Sequence, residues 1–136
     1  MRVLIVDDSK IVCEGLQRML INIADVEIVG QAHNAKDAIK SISELKPDVV
    51  ILDIRLPGLS GIDVLKDIRA KKLPIRVIML TNYPYPQYRK KCEELGSDYF
   101  FDKVTEIEEI SNAIKELAKN KPENVKKKTM KDKCRK

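Results

Sequence analysis

The chain contains no apolar run approaching the roughly 20 residues that a membrane-spanning helix requires, so membrane insertion is not expected. Its first apolar stretch, Val3–Val6, stops at Asp7 and Asp8 and is too short for the core of a secretory signal. A cytoplasmic location is the resulting expectation. Cysteine is scarce: Cys13, Cys92 and Cys134 are odd in number, far apart and without CxxC spacing. That leaves no framework for disulfides, zinc or dithiol chemistry, and the thiols are read as reduced and without a catalytic role. No GxGxxG follows the first apolar run, which argues against dinucleotide binding. The single histidine, His33, has no partners at ligand spacing and reads as a surface or loop residue. There is no internal repeat.

Charge is unevenly spread. The net charge is +5, but from Lys119 onward nine Lys/Arg residues face two acids, a local balance of +7 that leaves the first 118 residues at −2. The apolar patterning also ends near Ala118. One globular domain over 1–118 and a basic, disordered tail over 119–136 are therefore expected. The 18 residues after Ala118 are too few for a helix-turn-helix domain, and the tail has no aromatic residue to stack on bases. Nucleic-acid binding is not expected, although contact through the tail stays open as an alternative.

Two hydrophobic periods alternate along the first 118 residues. Short β-branched runs at Val3–Val6, Val26–Gln31, Val49–Leu52 and Ile75–Leu80, with a weaker one at Asp98–Phe101, read as strands. Between them lie stripes at helical spacing: Val12, Leu16, Met19, Leu20 and Ile23, then Ala35, Ala38, Ile39, Ile42 and Leu45. Ile62, Leu65 and Ile68 form a third, Tyr88, Cys92 and Leu95 a fourth, and Ile107, Ile110, Ile114 and Leu117 a fifth. Asn34 is placed to cap a helix start, Gly96 to end one in the left-handed region, and Thr105 with Glu108 to form a capping box. Five βα units imply an α/β fold with a doubly wound parallel sheet.

In such sheets, ligands bind at the carboxyl ends of the strands. The first strand runs into Asp7-Asp8, the third ends at Asp53, the fourth at Thr81, and the fifth is followed by Lys103. Crowded carboxylates repel one another unless a cation joins them, and a hard dication with oxygen ligands, Mg²⁺, suits that donor set. An aspartate can attack phosphorus to give an acyl phosphate, with the metal and Lys103 offsetting charge on the transferring group. Each residue also has an ordinary alternative as a cap, a turn or a surface group. Their convergence on one edge favours a site.

Taken in order, Asp7-Asp8, the stretch from Val49 through Asp53 to Pro57-Gly58, Gly61, Met79-Leu80-Thr81, Gly96 and Lys103 resemble the receiver domain of response regulators, the CheY-like superfamily, over about residues 2–118. The resemblance implies a flavodoxin-like five-stranded sheet in the order 2-1-3-4-5. It implies a single-domain, stand-alone regulator of a two-component phosphorelay with Asp53 as phosphoacceptor. Mg²⁺ would be held by Asp8, Asp53, the backbone carbonyl of Arg55 and Asp7, often through water. Thr81 would hydrogen-bond the phosphoryl group, Lys103 would pair with Asp53 and then with a phosphoryl oxygen, and Phe100 would change rotamer together with Thr81.

Implied partners are a sensor histidine kinase or phosphotransfer protein, a downstream protein target and a second copy forming a homodimer. Such a protein catalyses only its own aspartyl phosphorylation and dephosphorylation and turns over no external substrate. A degenerate receiver acting as an adaptor without phosphorylation is the other reading. The sequence departs from the family pattern at Val104, where proline usually follows the lysine. A cis bond there would cost about 3–4 kcal/mol for a non-proline residue, so a trans bond or a rearranged loop is expected. Phe100 lacks the hydroxyl of the frequent tyrosine, and Arg55 and Asn82 flank the site, where they are expected to tune the lifetime of the acyl phosphate. Tyr83-Pro84-Tyr85-Pro86 reads either as a rigid turn or as an aromatic docking surface.

Overall fold

The computed structural model describes residues 1–119. Five strands, β1 (Arg2–Val6), β2 (Glu27–Ala32), β3 (Val49–Leu52), β4 (Arg76–Thr81) and β5 (Tyr99–Asp102), alternate with five helices, α1 (Lys10–Leu20), α2 (Ala35–Leu45), α3 (Gly61–Ala70), α4 (Pro86–Glu94) and α5 (Glu109–Lys119). All strand pairs are parallel, in the order β2-β1-β3-β4-β5. The proposed tail lies outside the described residues apart from Lys119, which closes α5.

Period-two alternation divides each central strand between two cores. Leu4, Val6, Val50, Leu52, Val77 and Met79 face a layer built from Ala38 and Ile42 of α2, Val64, Leu65 and Ile68 of α3 and Cys92 of α4. Val3, Ile5, Val49, Ile51, Ile78 and Leu80 face Cys13, Leu16 and Leu20 of α1 and Ile110, Ala113 and Ile114 of α5. Burial on both faces is why β3 reads as the unbroken apolar run VVIL rather than an alternating one. Each fully buried aliphatic side chain contributes about 1.5–3 kcal/mol.

The expected punctuation forms at Asn34, whose side chain accepts the Asp37 amide, and at Gly96, with φ of +91°. There the Ser97 amide donates to Cys92 O and the Gly96 amide to Glu93 O, the paired bonds of a left-handed helix stop. The expected capping box at Thr105 and Glu108 does not form. Helix α5 starts at Glu109, and among the described residues no hydrogen bond joins Thr105 to Glu108. Nearer acceptors serve the amides of this segment: Glu106 takes the Asp102 amide and Asp102 takes the Val104 amide, both at 2.8 Å. A capping box forms instead at Ser60 and Asp63, ahead of α3.

That start of α3 lies directly against the site. The Gly61 amide donates to Ile54 O at 2.7 Å, and a Cβ on Gly61 would sit 1.9 Å from the Asp53 carbonyl oxygen. Only a residue without a side chain fits. Gly61→Ala should therefore lose about 1–3 kcal/mol through overpacking, read as a lower urea midpoint. An unchanged midpoint would show that the loop yields freely.

Candidate functional site

The order 2-1-3-4-5 sends the chain from β1 to opposite sides at β2 and β3, leaving a crevice at their carboxyl ends. Backbone bonds hold the key residues there as one-residue continuations of the ladders. The Asp7 amide donates to Ala32 O at 3.0 Å, the Asp53 amide to Val6 O at 3.0 Å and the Lys103 amide to Thr81 O at 2.8 Å. Position on the sheet edge is thus fixed by main-chain pairing, and only the side chains remain to converge.

They do. The Lys103 ammonium donates to Asp7 Oδ2 at 2.6 Å and to Asp53 Oδ2 at 3.0 Å, and its side chain is 9% exposed. The other Asp7 oxygen accepts the Ser9 amide at 2.9 Å, and Asp53 Oδ1 accepts the Arg55 amide at a longer 3.4 Å. Asp7, Asp8 and Asp53 each place one carboxylate oxygen within 4.8 Å of the others. Asp7 and Asp53 are buried while Asp8 is exposed, so the cluster meets solvent at Asp8. Among the described residues Asp8 has no ion-pair partner. Three hard oxygen donors, one of them solvated and unpaired, fit a dication that keeps part of its water shell.

Burial pushes the Asp53 carboxyl above the usual range, with the Lys103 charge and hydrogen bond working against the rise. Burial also acts against the Lys103 ammonium, but the Asp7 hydrogen bond and the charge of Asp53 outweigh it and raise its pKa. The lysine therefore stays charged and is the cation that lets two buried acids coexist. Beneath the cluster, the Cys13 thiol donates to the Asp7 carbonyl at 3.5 Å. Burial, then Asp7, pushes that thiol up to about 11, and burial alone does the same for Cys92, so neither is a thiolate nucleophile at neutral pH. Cys134 lies outside the described residues.

The other expected residues stand at varying distance from this centre. Thr81 is fully buried at the end of β4, and its hydroxyl oxygen accepts the Tyr83 amide at 3.0 Å, which leaves the hydroxyl proton available to donate. Phe100 pairs in register with Met79, two residues before Thr81. It is half-buried outside the carboxylate group, with the Arg89 guanidinium 4.5 Å above its ring. The Lys103–Val104 peptide is trans, since no described peptide bond is cis, and Lys103 still reaches both acids. His33 lies in the loop after β2, half-buried rather than on the surface, with its Nε2 unbonded among the described residues. The stacking of Arg55 on Tyr83, 4.2 Å from its ring centroid, was not foreseen. No spacing signal links residues so far apart in sequence.

Comparison with known proteins places these features in a family. The model of the response regulator receiver domain matches residues 3–115. The chain is 32% identical over 116 residues to the response regulator GacA of Pseudomonas aeruginosa, a match covering 85% of this chain and 54% of that protein. It therefore spans about half the length of such curated relatives. Among solved structures, the receiver domain of the putative response regulator NarL from Mycobacterium tuberculosis aligns with a TM-score of 0.80 at 32% identity, covering 88% of this chain and 97% of that one. A CheX–CheY–BeF₃–Mg²⁺ complex from Borrelia burgdorferi aligns with a TM-score of 0.79 at 26% identity, covering 86% and 88%. Among the described residues no helix is long and apolar enough to cross a membrane.

Removing the cation from the buried acids tests the electrostatics. Lys103→Met should cost about 3–5 kcal/mol at neutral pH, because it strands two buried carboxylates. Asp53 has a raised pKa, so acidification protonates it and removes its need for a cation; the deficit should shrink as pH falls. In the wild type, the contribution of Lys103 persists below the ordinary ammonium range and is lost as pH rises through its own elevated pKa. Urea denaturation of both proteins at neutral and mildly acidic pH checks this, and a deficit independent of pH would contradict it.

Proposed function

The chain belongs to the response regulator receiver domain family, and from that membership we propose that it works as a phosphorylation switch in which Asp53 accepts a phosphoryl group from a phosphohistidine. One observation carries the proposal: the Lys103 ammonium bonds both Asp7 and Asp53 while Asp8 stands exposed beside them. In the transfer, an Asp53 oxygen forms the new O–P bond as the P–N bond to the donor imidazole breaks. Hydrolysis by water then regenerates the carboxylate and releases inorganic phosphate.

Asp8, Asp53, the Arg55 backbone carbonyl and, through water, Asp7 are the groups proposed to hold Mg²⁺. Bound there, the ion supplies charge neutralisation at the phosphoryl oxygens. That a relative of similar fold is described in complex with BeF₃ and Mg²⁺ supports carrying this pairing over. Lys103 moves its bond from Asp53 to a phosphoryl oxygen, retaining Asp7 as its counter-ion. The Thr81 hydroxyl donates its proton to another phosphoryl oxygen. Phe100, behind Met79 on the same side of the sheet, repacks with that movement. New contacts thus favour one of two arrangements of the β4–β5 face, a population shift driven by differential binding.

The proposed donor is a sensor histidine kinase or a phosphotransfer protein, and the readout is a change in affinity for a downstream protein or for a second copy of the chain. The domain turns over no external substrate. Incubation with Mg²⁺ and acetyl phosphate, followed by intact-mass analysis, should show one base-labile phosphoryl group, absent in Asp53→Asn and reduced in Asp8→Ala. Wild-type protein that stays unmodified would leave the adaptor reading in place.

A further inference from the structure

Arg55 begins two residues beyond Asp53, and its amide already donates to that carboxylate at 3.4 Å. Its side chain turns instead to the neighbouring loop, where the guanidinium lies 4.2 Å from the centroid of Tyr83. Among the described residues it forms no ion pair and no side-chain hydrogen bond. Tyr83 in turn stands two residues beyond Thr81, and its amide occupies the Thr81 hydroxyl oxygen at 3.0 Å. The same ring opens a run of aromatics, with Tyr83 and Tyr85 centroids 6.1 Å apart and Tyr85 and Tyr88 5.5 Å apart. One stacking contact thus joins the loop after the acidic strand end to the loop after the threonine.

Charge makes this contact conditional. Three carboxylates at the site face one ammonium, and converting Asp53 to an acyl phosphate adds further negative charge. A guanidinium on a flexible stem has two competing partners there. One is the face of the half-buried Tyr83, a weak attraction because the guanidinium itself is exposed; the other is a phosphoryl oxygen, for which its planar fork of donors is matched.

We propose that Arg55 is a further phosphoryl-contacting residue, held on Tyr83 until Asp53 is modified, and that its transfer to the phosphoryl group releases the Tyr83 loop. The proposal rests on Asp53 being the acceptor. Tyr83 and the phosphoryl group then compete for one arginine, which gives the two residues opposite effects on binding of a phosphoryl analogue.

The test is a double-mutant cycle on the full chain, with beryllofluoride and Mg²⁺ as the probe and ¹⁹F resonance of the bound analogue as the readout. Tyr83→Leu should tighten binding about two- to five-fold, the strength of a cation–π contact whose cation is exposed. Arg55→Ala should weaken it about ten-fold through loss of a charge-assisted hydrogen bond, and Tyr83→Phe, which keeps the π face, should match the wild type. In the Arg55→Ala background, Tyr83→Leu should add nothing. Equal tightening in that background would overturn the competition while leaving the Asp53 reading intact. A wild-type chain that binds no beryllofluoride would overturn both.

Discussion

Two acids buried side by side, with a third beside them at the surface, can exist in this protein because one ammonium is held between them. Lys103 reaches Asp7 and Asp53 from a loop some fifty residues beyond the second of these, and is nearly buried in doing so. Water cannot screen charges so placed, so their mutual repulsion is strong unless a cation is fixed nearby. The raised carboxyl of Asp53 and the raised ammonium of Lys103 are two signs of that constraint. Three carboxylates still face one ammonium there, so a further cation would offset the repulsion that remains.

The fold meets the constraint with main-chain geometry. Parallel pairing of β1 with β2 and β3, and of β4 with β5, continues for one residue past each strand and sets Asp7, Asp53 and Lys103 along a single edge. Gly61 lets the first turn of α3 press on the Asp53 peptide, and the Asp102 and Glu106 carboxylates shape the turn carrying Lys103. This turn shows why the missing proline at Val104 does not displace the lysine: its amide is anchored to Thr81 O on β4, and the loop beyond is braced by acids. On the far side of β4, Arg89 covers Phe100, so the ring contemplated as a moving part is packed between Met79 and a helix that itself buries little beyond Cys92.

Much of this was legible in the chain itself. Five apolar runs, the last of them weaker, and five helical stripes predicted all ten elements in order because burial on one or two faces imposes a period of two or 3.6 on side chains. Strand boundaries shifted by at most one residue, as at β4, expected from Ile75 and observed from Arg76, whereas the stripes of the first and last helices overran the observed helices at Ile23 and Ile107. The one local failure, the capping box at Thr105, arose from competition: several nearby acids could accept the same amides, and only their three-dimensional positions choose among them. At Ser60 the same chemistry succeeded with an aspartate in place of the usual longer acid.

Sequence alone determined which residue types stand at the strand ends, since strand length and polarity decide where an apolar run gives way to Asp, Thr or Lys. Tertiary structure decided how they meet: that one ammonium serves two acids, that Asp8 is the exposed member, that Phe100 lies under Arg89, and that Arg55 rests on Tyr83. The reason is one of range. Periodicity and capping are interactions between residues a few positions apart, whereas an ion pair or a stacked ring joins segments whose separation along the chain carries no trace of their contact in space.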